Sequence, residues 1–220
     1  MTFANLVNNL TLATSATAVM LASSLAASVP AQAASLDLST WTIYGDAVLS
    51  PNSATITNAL ADGTDDDINL NVSGSDPLDV DTLETSLGLP PGTLGFDAQE
   101  GSAIGTLLSS INAGDVFSFD WSFNDFDVLD FGFVTIDDTS TTGLDLPVFN
   151  LTGSTPFSYT FAAGGNYRIA IGVIDQTDFI GSSVLNVSNA QLIPIPTPAL
   201  LPGLIGLGLG VWRKRKEVEE

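Results

Sequence analysis

The stretch Asp115-Val116-Phe117-Ser118-Phe119-Asp120-Trp121-Ser122-Phe123 alternates polar and aromatic side chains without a break. Successive side chains of an extended strand point to opposite faces. Phe117, Phe119, Trp121 and Phe123 therefore share one face, and Ser118, Asp120 and Ser122 the other. This predicts a half-buried antiparallel strand with Trp121 in the core. Working outward, the same period-two pattern predicts strands at about 41–49, 53–60, 68–73, 102–110, 131–137, 157–162, 167–174 and 183–192, separated by Gly, Asn, Asp and Pro clusters. One segment differs: Leu78, Leu83 and Leu87, with Gly88 behind them and Pro90 beyond, predict a single short helix. Many short strands with turns between them predict a mainly β chain folded as an antiparallel sandwich or jelly roll. No repeat of the kind that builds solenoids or propellers is visible.

The chain has 220 residues, enough for one domain and targeting segments. It carries 25 acidic residues against five basic ones, yet 45% of residues are hydrophobic, which predicts a packed core under an acidic surface. Four of the five basic residues, Arg213, Lys214, Arg215 and Lys216, form one run. Residues 34–197 thus hold 22 acids with Arg168 as their only cation. Such a surface repels phosphate backbones, which excludes nucleic acid as a partner. With no Cys or His in the chain, and no Lys in this body, thiol, imidazole and amine chemistry is excluded, as are Cys/His metal centres. Carboxylates and hydroxyls remain.

The ends carry address signals. Residues 3–29 are uncharged, apolar and small, and run into Pro30-Ala31-Gln32-Ala33-Ala34. An A-x-A triplet after an apolar stretch is the signal-peptidase pattern, so Ala31, Ala33 and Ala34 mark cleavage after Ala33, and residues 1–33 read as a helical signal peptide. No Lys or Arg precedes the apolar run, a departure from that pattern; an uncleaved membrane helix is the alternative. At the other end, Ala199–Trp212 is apolar and charge-free, about 21 Å long as a helix and so a marginal span of a ~30 Å hydrocarbon core. The basic run behind it stays cytoplasmic by the positive-inside rule, leaving the body outside. The expected organisation is a signal peptide (1–33), an acidic β-sandwich ectodomain (34–193) and a sorting tail (194–220) with a transmembrane helix.

Pro196-Thr197-Pro198-Ala199, the short Gly-rich apolar segment and the Arg213–Lys216 cluster together resemble the PEP-CTERM class of sorting signals in its PTPA variant, with Thr197 where the name-giving Glu would stand. The resemblance implies a transient membrane anchor cut near the Pro-x-Pro motif by an exosortase, a membrane cysteine transpeptidase-like enzyme. A permanent tail anchor is the alternative. The series LETSLGLPPGTL, EGSAIGTLL, AGDVFSFDWSFNDFD, DFGFVTID, FSYTFAAGGNYRIAIGVIDQTD and SSVLNVSNAQL resembles a jelly-roll domain of secreted bacterial proteins that end in a choice of anchors. That resemblance implies a lectin-like sandwich and no established activity.

Three acid clusters stand out, at Asp62–Asp67, Asp125–Asp130 and Asp175–Asp178. Clustered carboxylates suit hard cations such as Ca²⁺, although none matches the D-x-[DN]-x-[DN]-G loop, and solvated acidic loops are the plainer reading. Asp125, Asp127 and Asp130 are the candidate metal ligands. If strands alternate in direction from residue 115, the 124–130 loop lies at one end of the sandwich and the 138–155 and 175–182 loops at the other, which keeps the clusters apart. Trp41, Tyr44, Trp121, Tyr159 and Tyr167 are candidates for stacking on sugar rings. The body has only two glutamates, Glu84 and Glu100, to serve a glycosidase, which needs two opposed carboxylates. The sequence therefore reads as an exported cell-surface or extracellular-matrix protein of structural or adhesive role, with no catalytic residue assigned. A Ca²⁺-dependent carbohydrate-binding module for extracellular polysaccharide is the alternative, and a carboxylate glycosidase the third reading.

Processing is directly testable. Intact mass spectrometry of protein from its source cells is expected to show a form beginning near Ala34 and ending near Pro198; retention of Arg213–Glu220 would rule out processing of the tail.

Overall fold

The structure is a computed structural model that describes residues 32–64, 69–124, 129–140, 148–151, 156–177 and 181–195. Residues 31–195 form one compact unit. Along the chain the elements are β1 (Ala34–Ser35), β2 (Thr42–Tyr44), β3 (Asp46–Ser50), β4 (Ser53–Thr57), β5 (Leu78–Asp79), α1 (Val80–Leu87), β6 (Ala98–Ile111), β7 (Val116–Asn124), β8 (Phe131–Asp138), β9 (Val148–Leu151), β10 (Phe157–Thr160), β11 (Gly165–Gln176) and β12 (Val184–Ile193). They build an antiparallel sandwich of two six-stranded sheets. One runs β10-β7-β12-β4-β3 with β1 beside β12; the other runs β2-β6-β11-β8-β9 with β5 beside β6.

The β7 alternation is realised as read. Phe117, Phe119 and Trp121 are buried between the sheets, and Phe123 packs against them, while Asp120 faces solvent. The opposing sheet contributes Ile104, Val134, Ile136, Ile169, Ile171 and Val173. A chain of ring contacts fastens the layers: Phe119 stacks on Phe157 at 5.0 Å, Phe157 meets Phe149 edge-on at 5.3 Å, and Phe149 meets Tyr159 at 5.8 Å. Since β7 and β10 belong to one sheet and β9 to the other, these contacts tie the two sheets together.

The predicted helix appears as α1 with Leu83 and Leu87 in it, while Leu78 lies before it in β5, paired with Gly101. The Asp79 carboxylate caps its first turn by accepting from the Thr82 N–H at 3.0 Å, and Gly88 ends it at φ +72°, a conformation that glycine adopts freely. Leu83 and Leu87 pack on the outer face of the second sheet, over Ala103, Ala170 and Phe133, in a smaller apolar cluster. Arg168 reaches up from β11 and donates to the Leu87 carbonyl at 3.0 Å, a cation at the helix C-terminus where it favours the dipole. Its guanidinium also lies 3.6 Å from the Asp137 carboxylate.

Three expectations are corrected. The strand at 41–49 is two strands, β2 and β3, in different sheets, because Gly45 at φ +80° turns the chain across the sandwich. Residues 69–73 form no strand. Their donors go elsewhere: the N–H groups of Val72 and Ser73 donate to the Asp46 carboxylate, and the Asn71 side chain donates to the carbonyls of Ala59 and Ser75. Side-chain acceptors that claim these N–H groups compete with a ladder. Finally, β9 was not foreseen within the 138–155 connection. One more strand before β11 reverses the expected direction of β11, so Asn124 and Phe131 lie at the same end of the sandwich as Ile174 and Val184. The signal peptide and the sorting tail lie outside the described residues. No helix among the described residues is long and apolar enough to cross a membrane.

Two outcomes test this packing. Phe119→Ala is expected to cost about 3–5 kcal/mol in urea unfolding, whereas Ser118→Ala, on the opposite face, changes stability by less than about 0.5 kcal/mol; equal effects would contradict the assigned faces. Burial raises the Asp137 carboxyl above its ordinary pKa more than nearby Arg168 lowers it, and Asp138 adds to the rise. A carboxyl raised in the folded state contributes stability that is present below its unfolded value of about 3.9 and is lost as pH rises through the raised value. Asp137→Asn should therefore gain stability relative to the native chain between about pH 4 and pH 7; a relative loss over that range would refute the assignment.

Candidate functional site

The outer face of the second sheet is only partly roofed. Register sets Phe131 beside Ile174, Asn150 beside Phe133, and Val148 beside Thr135 on this face. Of these, Phe131, Val148 and Asn150 line a groove of about 390 Å³ together with Leu94 and Gly95 of the turn after α1. Its apolar wall is Leu129, Phe131 and Val148, and its polar groups are Thr93, Asn150 and Gln176. Next to the lining residue Gly95, the Phe96 ring is 98% exposed, a large apolar surface left in water.

Both walls are held by buried carboxylates. Glu84, on α1, accepts from the N–H groups of Gly92 and Leu94 at 2.7 Å each, which fixes the 90–94 turn that leads into Gly95 and Phe96. Asp130 accepts from the Gln176 N–H at 3.4 Å and from Asn58 Nδ2 at 2.9 Å, which ties the end of β11 to the end of β4. Asn58 Oδ1 in turn accepts from the Ser183 N–H at 2.6 Å, so one buried amide joins both sheets beneath the groove. Among the described lining residues there is no Asp or Glu. What it offers is an apolar wall with convergent hydroxyl and amide groups, the composition of a binding site.

A second, smaller groove of about 210 Å³ lies at the other side of α1, between Thr42, Tyr44, Leu107 and Arg168. There Arg168 is already engaged by Leu87 and Asp137.

Of the predicted site residues, Asp125 and Asp127 lie outside the described residues, and Asp130 is buried and bonded inward. The sorting residues Pro196, Thr197, Pro198 and Ala199, the cluster Arg213, Lys214, Arg215 and Lys216, and Ala31 also lie outside them. Ala33 is exposed, and Ala34 opens β1 opposite Leu192. Of the five stacking candidates, Trp41, Trp121 and Tyr167 are buried in the core, Tyr159 packs against it, and Tyr44 lines the smaller groove. Phe96 and Phe131 were missed. The one available signal for Phe96 was an aromatic residue set between Gly95 and Asp97, outside any alternating run.

No family model matches the sequence, and no curated protein matches it. Among solved structures, the fold is similar to TmCBM61, solved in complex with β-1,4-galactotriose, at 10% identity and TM-score 0.38 over 72% of this chain and 90% of that one. A CBM4 structure is similar at 12% identity and TM-score 0.35, over 74% and 94%. A family two carbohydrate esterase from Cellvibrio japonicus is similar at 11% identity and TM-score 0.34, over 76% of this chain and 36% of that one.

Proposed function

We propose that the protein is an exported, non-catalytic carbohydrate-binding sandwich that holds an extracellular polysaccharide in the groove beside α1. The observation that carries this reading is the pairing of the apolar wall Leu129, Phe131 and Val148 with the polar groups of Thr93, Asn150 and Gln176, next to a solvent-facing Phe96. Sugar rings present apolar faces and a rim of hydroxyls, and such a lining matches both. The net charge of the body selects among polymers: 22 acids with one cation repel anionic chains, so the ligand is a neutral polysaccharide. The structural or adhesive role read from the sequence is then exercised through this binding. In the same proposal, export runs through cleavage after Ala33, and the Pro196–Ala199 motif with the Arg213–Lys216 cluster serves exosortase sorting at the membrane.

The test is binding of the full chain to an array of neutral and acidic polysaccharides, with reducing ends assayed in parallel. Binding is expected among neutral polymers without turnover. Phe131→Ala and Gln176→Ala should each weaken it about tenfold, equivalent to ~1.4 kcal/mol. Binding that survives both substitutions unchanged, or release of reducing ends, would overturn the proposal.

A further inference from the structure

We propose that the smaller groove, at the C-terminal end of α1, is a second site for a neutral sugar, which makes each molecule bivalent and able to bridge two polysaccharide chains. The proposal rests on the carbohydrate reading of the first groove. Its residues come from three strands and the helix on the outer face of the second sheet. Register sets Tyr44 beside Ala103 and Thr42 beside Gly105 on one flank, and Leu107 beside Arg168 on the other. Leu87, in the last turn of α1, forms the wall toward the helix.

Gly105 makes the apolar floor possible. A Cβ there would stand 3.2 Å from Cε2 of Tyr44 and 3.8 Å from Cδ2 of Leu87, so its absence lets the aromatic ring lie close against β6. The ring is half-buried, and the Leu107 side chain that lines the same groove is 56% exposed. Together they leave an apolar surface in water.

Arg168 supplies the polar centre, and the fold fixes its orientation. Nη1 donates to the Leu87 carbonyl at 3.0 Å and lies 3.6 Å from the Asp137 carboxylate. A Cβ on Gly88 would overlap that nitrogen, so the helix ends on a residue that lets the guanidinium in. Both contacts fall on Nη1. Nε and Nη2 have no hydrogen-bond partner among the described residues, and the side chain is 43% exposed. The Tyr44 and Thr42 hydroxyls likewise have no partner among the described residues.

A sugar ring presents an apolar face and a rim of hydroxyls. Tyr44 and Leu107 match the face; the guanidinium, which only donates, and the two hydroxyls, which donate and accept, match the rim. An arginine already held in place loses little freedom when it binds. An anionic ligand would meet a single guanidinium beside Asp137 in a body of 22 acids, so the class is neutral.

The two grooves are too far apart for one short glycan. Arg168 in one and Gln176 in the other stand eight residues apart on β11, about 26 Å at the rise of a strand, with α1 packed on the sheet between them. Two sites on one molecule raise avidity for a polymer and link separate chains, which gives the structural role a mechanism.

The experiment is calorimetric titration of the full chain with neutral trisaccharides: cellotriose, laminaritriose, mannotriose and xylotriose. Each is too short to reach from one groove to the other. One of them is expected to bind with two molecules per chain, Tyr44→Ala weakening one site about tenfold and Phe131→Ala the other. Leu107→Ser, at an exposed position, should weaken the same site as Tyr44→Ala and keeps the test open should that variant fail to fold. Val48→Ser, exposed on β3 of the other sheet, should weaken neither. The native chain should also raise the light scattering of the dissolved polysaccharide built from that sugar, and the single-site variants should not. One bound trisaccharide, weakened in Phe131→Ala and unchanged in Tyr44→Ala and Leu107→Ser, would overturn the second site and leave the first groove standing. One bound trisaccharide with the opposite dependence would overturn the bivalence and the first groove. Absence of binding for all four would overturn both grooves.

Discussion

A body with 22 carboxylates and one guanidinium cannot bury its acids as ion pairs. Each carboxylate the fold takes inside must be held by N–H and O–H donors, because desolvating a charge without such partners costs several kcal/mol. The structure meets that constraint repeatedly. Asp46, fully buried, accepts from the Thr57 hydroxyl, from the Val72 N–H at 2.9 Å and from both the N–H and the hydroxyl of Ser73 at 2.7 and 2.6 Å. Asp115 accepts from the Asn112 and Ile195 N–H groups at 2.8 and 3.1 Å. Glu84 takes the Gly92 and Leu94 N–H groups. In every case N–H groups of irregular backbone are among the donors, so the buried acids help give the loops a fixed course. The single cation donates to the carbonyl end of α1 and lies beside the Asp137 carboxylate.

The consequence for the proposed binding runs through the walls of the groove. Glu84 fixes the turn that leads into the exposed Phe96, and Asp130 fixes the end of β11 that presents Gln176. A binding surface built on loops would be mobile without such ties, and ordering it on each encounter would weaken binding. The face itself is available because α1 packs over Ala103 and Ala170, leaving Phe131 and Val148 half-buried and Asn150 exposed beside it.

How far the sequence revealed this depends on how local each signal is. The β7 alternation and the α1 leucines are local patterns whose burial follows from period alone, and both appear where expected. The failures are non-local. Residues 69–73 look strand-like, but their donors are claimed by Asp46, over 20 residues away in sequence. The short strand β9, Val148–Leu151, offers only four residues of pattern, and missing it inverted the direction of β11 and set the end of β11 apart from the start of β8, beside which it in fact lies. Aromatic residues show the same divide. Trp121 was legible as core from its alternation. Phe131, the first residue of its strand, takes its groove position from the roof above it, which no local pattern encodes.

The central claim is that buried carboxylates, bonded to backbone donors, hold the irregular segments as firmly as the ladders hold the strands. Native-state hydrogen exchange measures this residue by residue. The amides of Val72, Ser73, Gly92 and Leu94 lie outside helix and strand, and the account predicts protection comparable with that of the central β11 amides Ile169 and Ile171. Exchange of those four amides at the rate of an open loop, with β11 still protected, would contradict it.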